Sequence, residues 1–480
     1  MLIKLALRLI PLALIAPYAA SSQAADAIRS ESASPGRFLS QDDYFHRLAY
    51  VFGAHADAGV GTEAYVHVPM PPHFQVIATE LDGPVFADAT GHTLYRWPFK
   101  QLRVGDTGDP LGHSDCSDVK TTVNSGFMSP YPSGLQLPDL DTRPSCTQAW
   151  PPMLASADAK PVGRWTVITR EDGRRQWEYD GHALYTSILD QHPGDVLGAD
   201  TFGGKQPAVR LPLQPPPDLP SGFAVSTTRV GRLLQTEGHF SVYTSDRDRP
   251  GKSNCDEVCA KTWLPMLAPE SARTHGDWSV LERSPGVLQW SLRKRPLYRY
   301  ALDQEERSLR GSDVPGWHNV YTQLAPPPPA GFTVQNTTSG QVLADSHGKT
   351  IYLYFCADDG VDQLDCDYPT ETQAYRLAMC GGGDAERCLR TFPYVVAASS
   401  AKSTSSLWRI VYINPRTGRF AAAAQAGALR VWAYRDRPVY TYAGDREPGD
   451  FYADGIGEFR GTRDGYKAFW LRDDFNRRDE

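Results

Sequence analysis

Apolar residues in this chain come in short runs bounded by turn residues, not at the three-and-four spacing of a helix. The runs that stand out are Gln75–Thr79, Trp165–Thr169, Gln176–Tyr179, Trp278–Leu281, Leu288–Leu292, Trp408–Ile413 and Leu429–Tyr434. Most are rich in β-branched and aromatic residues, and the turn pairs Asp172-Gly173 and Pro285-Gly286 fall between consecutive runs. That pattern predicts short strands joined as hairpins. Helical spacing is clear only near the start, where Phe45, Leu48, Ala49 and Phe52 follow a capping Ser40 and predict one short helix.

The runs recur at fixed spacing. Phe74, Phe223 and Phe332 each follow a Pro-rich stretch, and Tyr95, Tyr243 and Tyr352 lie 21, 20 and 20 residues further on. From Trp150 the landmarks Trp165, Trp177, Tyr185 and Asp190 stand at offsets of 15, 27, 35 and 40, and Trp278, Trp290, Tyr298 and Asp303 stand at the same offsets from Trp263. A third copy keeps Trp408, Trp432, Tyr440 and Asp445 after Phe392-Pro393, with a longer gap between its tryptophans. Ungapped agreement of this kind means repeated structural units. A second level is visible inside each copy: Gly91-His92-Thr93-Leu94-Tyr95 reads like Gly181-His182-Ala183-Leu184-Tyr185, so each unit resembles two related half-repeats.

The fold class that follows is all-β: three tandem β-sandwich or barrel-like repeat domains joined by Pro-rich linkers, after a short N-terminal helix. The expected divisions are a signal peptide at 1–24, a polar segment with the helix at 25–66, and repeats at 67–213, 214–325 and 326–480, the last with a Cys-rich insertion. Proline-rich linkers are stiff and extended, so separate beads on a semi-rigid string are expected ahead of the alternative, a propeller-like array of six half-repeats.

Charge and cysteine usage narrow the setting. Basic Lys4 and Arg8, an apolar Leu9–Ala16 and small residues ending at Ala24 have the form of a secretory signal. The net charge is −7 with both signs interspersed, so there is no basic stripe for nucleic acid. No later stretch is apolar for long enough to span a bilayer, so no stable membrane insertion is expected after signal cleavage. The eight cysteines fall within the repeats: Cys116 and Cys146, Cys255 and Cys259, then Cys356, Cys366, Cys380 and Cys388. Even counts within each repeat predict local disulfides in an oxidising space, periplasmic or secreted; 116–146 and 255–259 are the economical pairs, and the last four leave three connectivities open.

This combination resembles a secreted repeat, or putative lipoprotein, family with a Tyr-x-(aromatic)-x-x-Asp motif. Tyr298 to Asp303 and Tyr440 to Asp445 match that motif, whereas Tyr185 to Asp190 departs from it with Ser187 at the aromatic position. The segment from Asp248 through Cys255 and Cys259 to Trp263 resembles the family's first half. The resemblance implies an all-β secreted repeat and no particular activity.

Candidate chemistry is sparse. The motif aspartates Asp190, Asp303 and Asp445 read as turn-capping groups behind the core tyrosines Tyr185, Tyr298 and Tyr440, because a fold-determining residue recurs where a catalytic one need not. The recurring tryptophans read as core, with ligand stacking by any exposed remainder as the competing use. Asp246, Asp248, Gly251 and Glu257 match four positions of a calcium loop, but Pro250 displaces a ligand. Asp358, Asp359, Asp362 and Asp365, with Asp367, are a metal candidate, in a pattern more typical of a solvated loop. Neither a serine-nucleophile elbow nor a phosphate loop is present in the sequence. No catalytic residue and no cofactor is expected. The sequence supports an exported cell-envelope binding or scaffold protein whose partner is an envelope component, protein or glycan. The alternative is a periplasmic enzyme, or a redox or metal-handling accessory, with its site between repeats.

Overall fold

The computed structural model describes residues 63–96, 116, 144–199, 211–356, 373–457 and 465–473, all within one structural unit spanning 38–480. The signal segment, the helix after Ser40, the insertion Gly126–Arg143, Cys366 and the acidic run from Asp358 to Asp367 lie outside the described residues.

The architecture is all-β, built from several open sheets, with no closed barrel among the described residues. Each repeat begins with a hairpin on its leading phenylalanine: Gln75–Ala78 with Pro84–Ala87, Phe223–Thr227 with Gly231–Thr236, and Thr333–Thr337 with Gly340–Ala344. A second sheet follows. In the first repeat its order is Trp165–Thr169, Arg175–Tyr179, His182–Tyr185, Tyr95–Arg96, Leu211–Pro212. In the third it is Trp408–Ile413, Leu429–Tyr434, Arg437–Tyr440, Tyr352–Phe355, Gly465–Ala468, the same order. The second repeat divides this arrangement in two but keeps the inner pairing of Tyr298–Tyr300 with Val242–Ser245, and of that strand with Trp317–Asn319. The turns Asp172-Gly173 and Pro285-Gly286 sit at hairpin tips, where the glycines take φ of 79° and 78° at no side-chain cost.

Strand alternation divides each repeat's core in two. Adjacent residues in a strand face opposite sides of the sheet. Leu94 and Leu184 therefore join Phe74, Trp165 and Trp177 on one face, while Tyr95 and Tyr185 join Trp150 and the Cys116–Cys146 pair on the other. Leu297 and Tyr298 divide in the same way, as do Ile351 and Tyr352. Phe74 packs on Trp165 at 4.6 Å between ring centroids, Phe223 on Trp278 at 4.8 Å and Phe332 on Trp408 at 5.3 Å.

Three features depart from the sequence reading. The half-repeats are not blades, because strands of the two halves share one sheet: Tyr95 pairs with Tyr185, Tyr243 with Tyr298 and Tyr352 with Tyr440. The repeats are not beads on a string. Leu81, Val230, Leu233 and Tyr321 from the first two repeats share one buried cluster with Phe332, Trp408 and Phe469 of the third. The Pro215–Pro217 stretch, expected as a spacer, is itself paired: Val66 N–H donates to the Pro216 carbonyl at 2.8 Å and Asp218 N–H to the Ala64 carbonyl at 3.0 Å. Proline lacks a donor but keeps its carbonyl acceptor, so extended Pro-rich chain can still form an edge. Finally, part of the Cys-rich insertion is helical, at Ala374–Gly381 and Ala385–Thr391. Asp384 caps the second helix by accepting from the Glu386 and Arg387 N–H groups at 2.9 and 3.2 Å.

Candidate functional site

The recurring tyrosines and aspartates meet, but not within the motif. Tyr95 donates to Asp190 at 2.8 Å, Tyr243 to Asp303 at 2.5 Å and Tyr352 to Asp445 at 2.7 Å. The aspartate thus serves the tyrosine of the opposite half-repeat, brought near by the register that sets the two tyrosine strands side by side. It also holds the loop that follows. Leu197 N–H donates to Asp190 and Tyr452 N–H to Asp445, each seven residues on. The residue after that donates back to the tyrosine oxygen: Gly198 to Tyr95 at 3.2 Å, Gly311 to Tyr243 at 3.3 Å and Ala453 to Tyr352 at 3.4 Å. A Cβ on Gly198 would stand 2.5 Å from Ser187, and one on Gly311 2.7 Å from the Tyr243 ring, so both approaches need glycine. The second repeat adds the reciprocal bond, Tyr298 to Asp248 at 2.8 Å. That use of Asp248 accounts for part of the calcium-like pattern; Asp246 faces His318 Nε2 at 2.9 Å. In the third repeat the second tyrosine, Tyr440, instead lies beneath the buried guanidinium of Arg376, 5.5 Å from its ring.

Burial pushes the Asp190 carboxyl up to about 8, against the downward pull of its hydrogen bonds from Tyr95 and Leu197. Burial likewise raises Asp445 to about 6 and raises Asp303. A raised carboxyl pKa means that the fold binds a proton the unfolded chain releases. The associated stability is complete below the ordinary value of 3.8 and is lost as pH climbs toward 8 for Asp190 and toward 6 for Asp445. The expected result is a melting temperature that falls from pH 5 to pH 8, with Asp190 alone contributing a slope of up to about 1.4 kcal/mol per pH unit. Asp190→Asn, which keeps the shape and stays neutral, should flatten the upper part of that slope. An unchanged slope in the variant would show that Asp190 is already ionised at pH 5.

A second recurring contact was not anticipated. Arg170 donates to the Gln176 side chain at 2.6 Å and to the Cys116 carbonyl at 2.6 Å; Arg283 donates to Gln289 and to the Cys255 carbonyl, each at 2.7 Å. Both glutamines pass the bond on to a core carbonyl, Leu184 and Leu297. The identical offset of each arginine from Trp165 and Trp278 was the available signal. The third repeat has buried Ile413 and Val431 at these positions, an apolar replacement for the polar pair.

Cys116 pairs with Cys146, Cys255 with Cys259 and Cys380 with Cys388, with Cα atoms 5.3, 5.2 and 4.7 Å apart. The last pair resolves the partner of Cys380 that the sequence left open. The recurring tryptophans Trp150, Trp165, Trp177, Trp263, Trp278, Trp290, Trp408 and Trp432 are all buried, so none offers a stacking platform on the surface.

A large concavity among the described residues lies where the three repeats meet. It encloses about 580 Å³ and is lined from all of them, among others by Leu213 of the first, Thr227 of the second and Phe355 of the third. Its walls are fixed by ion pairs between distant parts of the chain. Arg232 holds Glu63 through two bonds of 2.9 and 3.0 Å, and Arg435 holds Asp82 through two of 3.0 and 2.9 Å. Arg164 pairs with Asp180 at the rim. Arg96, Arg229, Arg307 and Arg437 complete the cationic lining.

Residues 166–209 match the family described as a secreted repeat of unknown function. That segment carries the Trp177, Tyr185 and Asp190 landmarks and the Asp190–Gly198 loop. No curated protein and no solved structure matches the chain.

Proposed function

We propose that the protein is an exported, periplasmic or secreted, binding or scaffold protein whose three repeats, 67–213, 214–325 and 326–480, together build one ligand site. The junction cavity carries this reading. Its size falls in the range of small-molecule sites, about 300–1,000 Å³, and it sits at the junction of the three repeats. Disulfides within each repeat suit an oxidising compartment, and the match to a secreted repeat family agrees. No described helix is long and apolar enough to cross a membrane. Binding is preferred to catalysis because the carboxyls raised from their ordinary range, Asp190, Asp248, Asp303 and Asp445, are bonded to tyrosines and do not line the cavity.

The test is thermal. A soluble envelope extract should raise the melting temperature of the wild-type protein by several degrees, the ordinary consequence of ligand binding to the native state. Leu211→Trp, which fills the cavity from its edge, should abolish the shift. The bound component should be recovered with its mass unchanged. An equal shift in both proteins would move the site elsewhere, and accumulation of an altered product would favour the enzymatic alternative.

A further inference from the structure

We infer that Cys380–Cys388 is an exchangeable disulfide, one that takes two electrons from a dithiol, and that Arg376 favours its reduction by holding the Cys388 sulfur as a thiolate. The observation behind it is a buried cation without an anion. Arg376 lies in the helix Ala374–Gly381 and is 0 % exposed. Among the described residues no carboxylate pairs with it. Its Nε donates to the Gln373 side-chain oxygen and its Nη1 to Cys388 Sγ, each at 3.3 Å. The rings of Tyr394 and Tyr440 stand 5.6 and 5.5 Å from its guanidinium. A guanidinium keeps its proton in proteins, so burial does not neutralise it. A buried charge of this kind is costly until an opposite charge reaches it. Of the groups in contact, a cysteine sulfur is the one that ionises most readily.

The first two repeats also bring an arginine to a disulfide, but to a carbonyl: Arg170 donates to that of Cys116 at 2.6 Å and Arg283 to that of Cys255 at 2.7 Å. In the third the arginine meets the sulfur itself. The two sulfurs there are placed unequally. Cys380 lies in the last turn of its helix, ahead of Gly382 and Gly383, which are exposed and take φ of 62° and 90°. Local opening at this glycine turn presents Cys380 to an incoming thiolate, while Cys388 stays enclosed. The attacking sulfur bonds to Cys380 Sγ, the Sγ–Sγ bond breaks, and Cys388 leaves as a thiolate against Arg376. The second sulfur of the dithiol then attacks the mixed disulfide and closes its own ring, and Cys380 leaves and takes up a proton. Its Sγ is 2.8 Å from the Arg376 carbonyl, which accepts the new S–H. The dithiol gives up two electrons and two protons. The protein takes both electrons and one proton, and the other proton goes to water. An arginine beside a cysteine lowers the thiol pKa, and a stabilised reduced form makes the disulfide a stronger oxidant.

Redox titration of the folded, full-length protein in graded dithiothreitol buffers tests the inference, with alkylation and mass spectrometry following each pair. Cys380–Cys388 should be reduced while the fold and the Cys116–Cys146 pair persist. The protein reduced at this pair should carry one thiolate at neutral pH, read by its ultraviolet absorbance. Arg376→Gln should remove that thiolate and lower the equilibrium constant for reduction of the pair about tenfold, or about 30 mV, the effect of losing one charge-assisted contact. Arg376→Lys, which keeps the charge, should recover most of both. The Cys116–Cys146 and Cys255–Cys259 equilibria should not move in either variant, which separates the effect from a general loss of stability. The inference is overturned if the wild-type pair is reduced only as the protein unfolds, if the reduced wild-type protein shows no thiolate at neutral pH, or if Arg376→Gln changes neither quantity. Should Arg376→Gln fail to fold, the two wild-type measurements decide alone.

Discussion

Asp82→Ala is expected to lower stability by about 3–5 kcal/mol in a urea titration, the usual consequence of removing one partner from a buried ion pair. The reason lies in what holds Arg435. Its backbone occupies the tip of the hairpin between Leu429–Tyr434 and Arg437–Tyr440, where Arg435 and Asp436 take φ of 48° and 61° without a glycine. The Arg435 N–H is tied to the Leu407 carbonyl at 2.8 Å, so the residue cannot swing away. Its side chain is 4 % exposed and reaches across the junction to Asp82 and to the Val196 carbonyl. Without Asp82 the guanidinium would remain in place, desolvated and opposed by no charge. The equivalent turn of the first repeat is Asp180-Gly181, where glycine relieves half of this constraint. Replacing both partners with apolar residues, Asp82→Leu with Arg435→Met, should recover most of the loss, because it removes the buried charge instead of orphaning it. A loss below about 1 kcal/mol in Asp82→Ala would mean that water reaches the pair and that the junction is loose.

Much of the fold could be read from short-range pattern. The Trp165–Thr169 and Trp408–Ile413 runs are strands because their residues suit a pleated, half-buried surface. The recurring apolar-Tyr step marks the one residue-by-residue alternation that separates the two cores of each repeat. Cys255 and Cys259 paired as their spacing required. What escaped was pairing over distance. The Tyr-x4-Asp motif looks like a local unit, yet Asp190 binds Tyr95, 95 residues earlier, because strand register and not sequence offset brings the two together. The Asp190–Gly198 and Asp303–Gly311 spacings were visible in the sequence, but only the loop geometry gives them a reason. The arginines of the cavity were invisible for a similar cause. Arg96, Arg229 and Arg437 lie in three different repeats and share no motif, so their convergence is a product of packing between repeats. Stiff proline linkers argued against such packing, and the argument failed because those prolines form an edge of the structure.

The most direct measurement is made on a chain ending at Pro326. If the three repeats are one folding unit around a shared junction, this truncation exposes Leu81, Val230, Leu233, Leu309 and Tyr321, whose buried cluster is completed by Phe332, Trp408 and Phe469. Full burial of such side chains contributes about 1.5–3 kcal/mol each. Even half of that across the exposed set is comparable with the roughly 5–15 kcal/mol by which native proteins are stable. The truncation also removes Arg435 from Asp82, Arg409 from Asp195 and the Ser406 hydroxyl and N–H from Glu80. The account predicts that the shortened protein loses near-ultraviolet circular dichroism and shows no cooperative heat-absorption peak. A sharp, native-like unfolding transition in the truncated chain would contradict it and return the repeats to the status of independent beads.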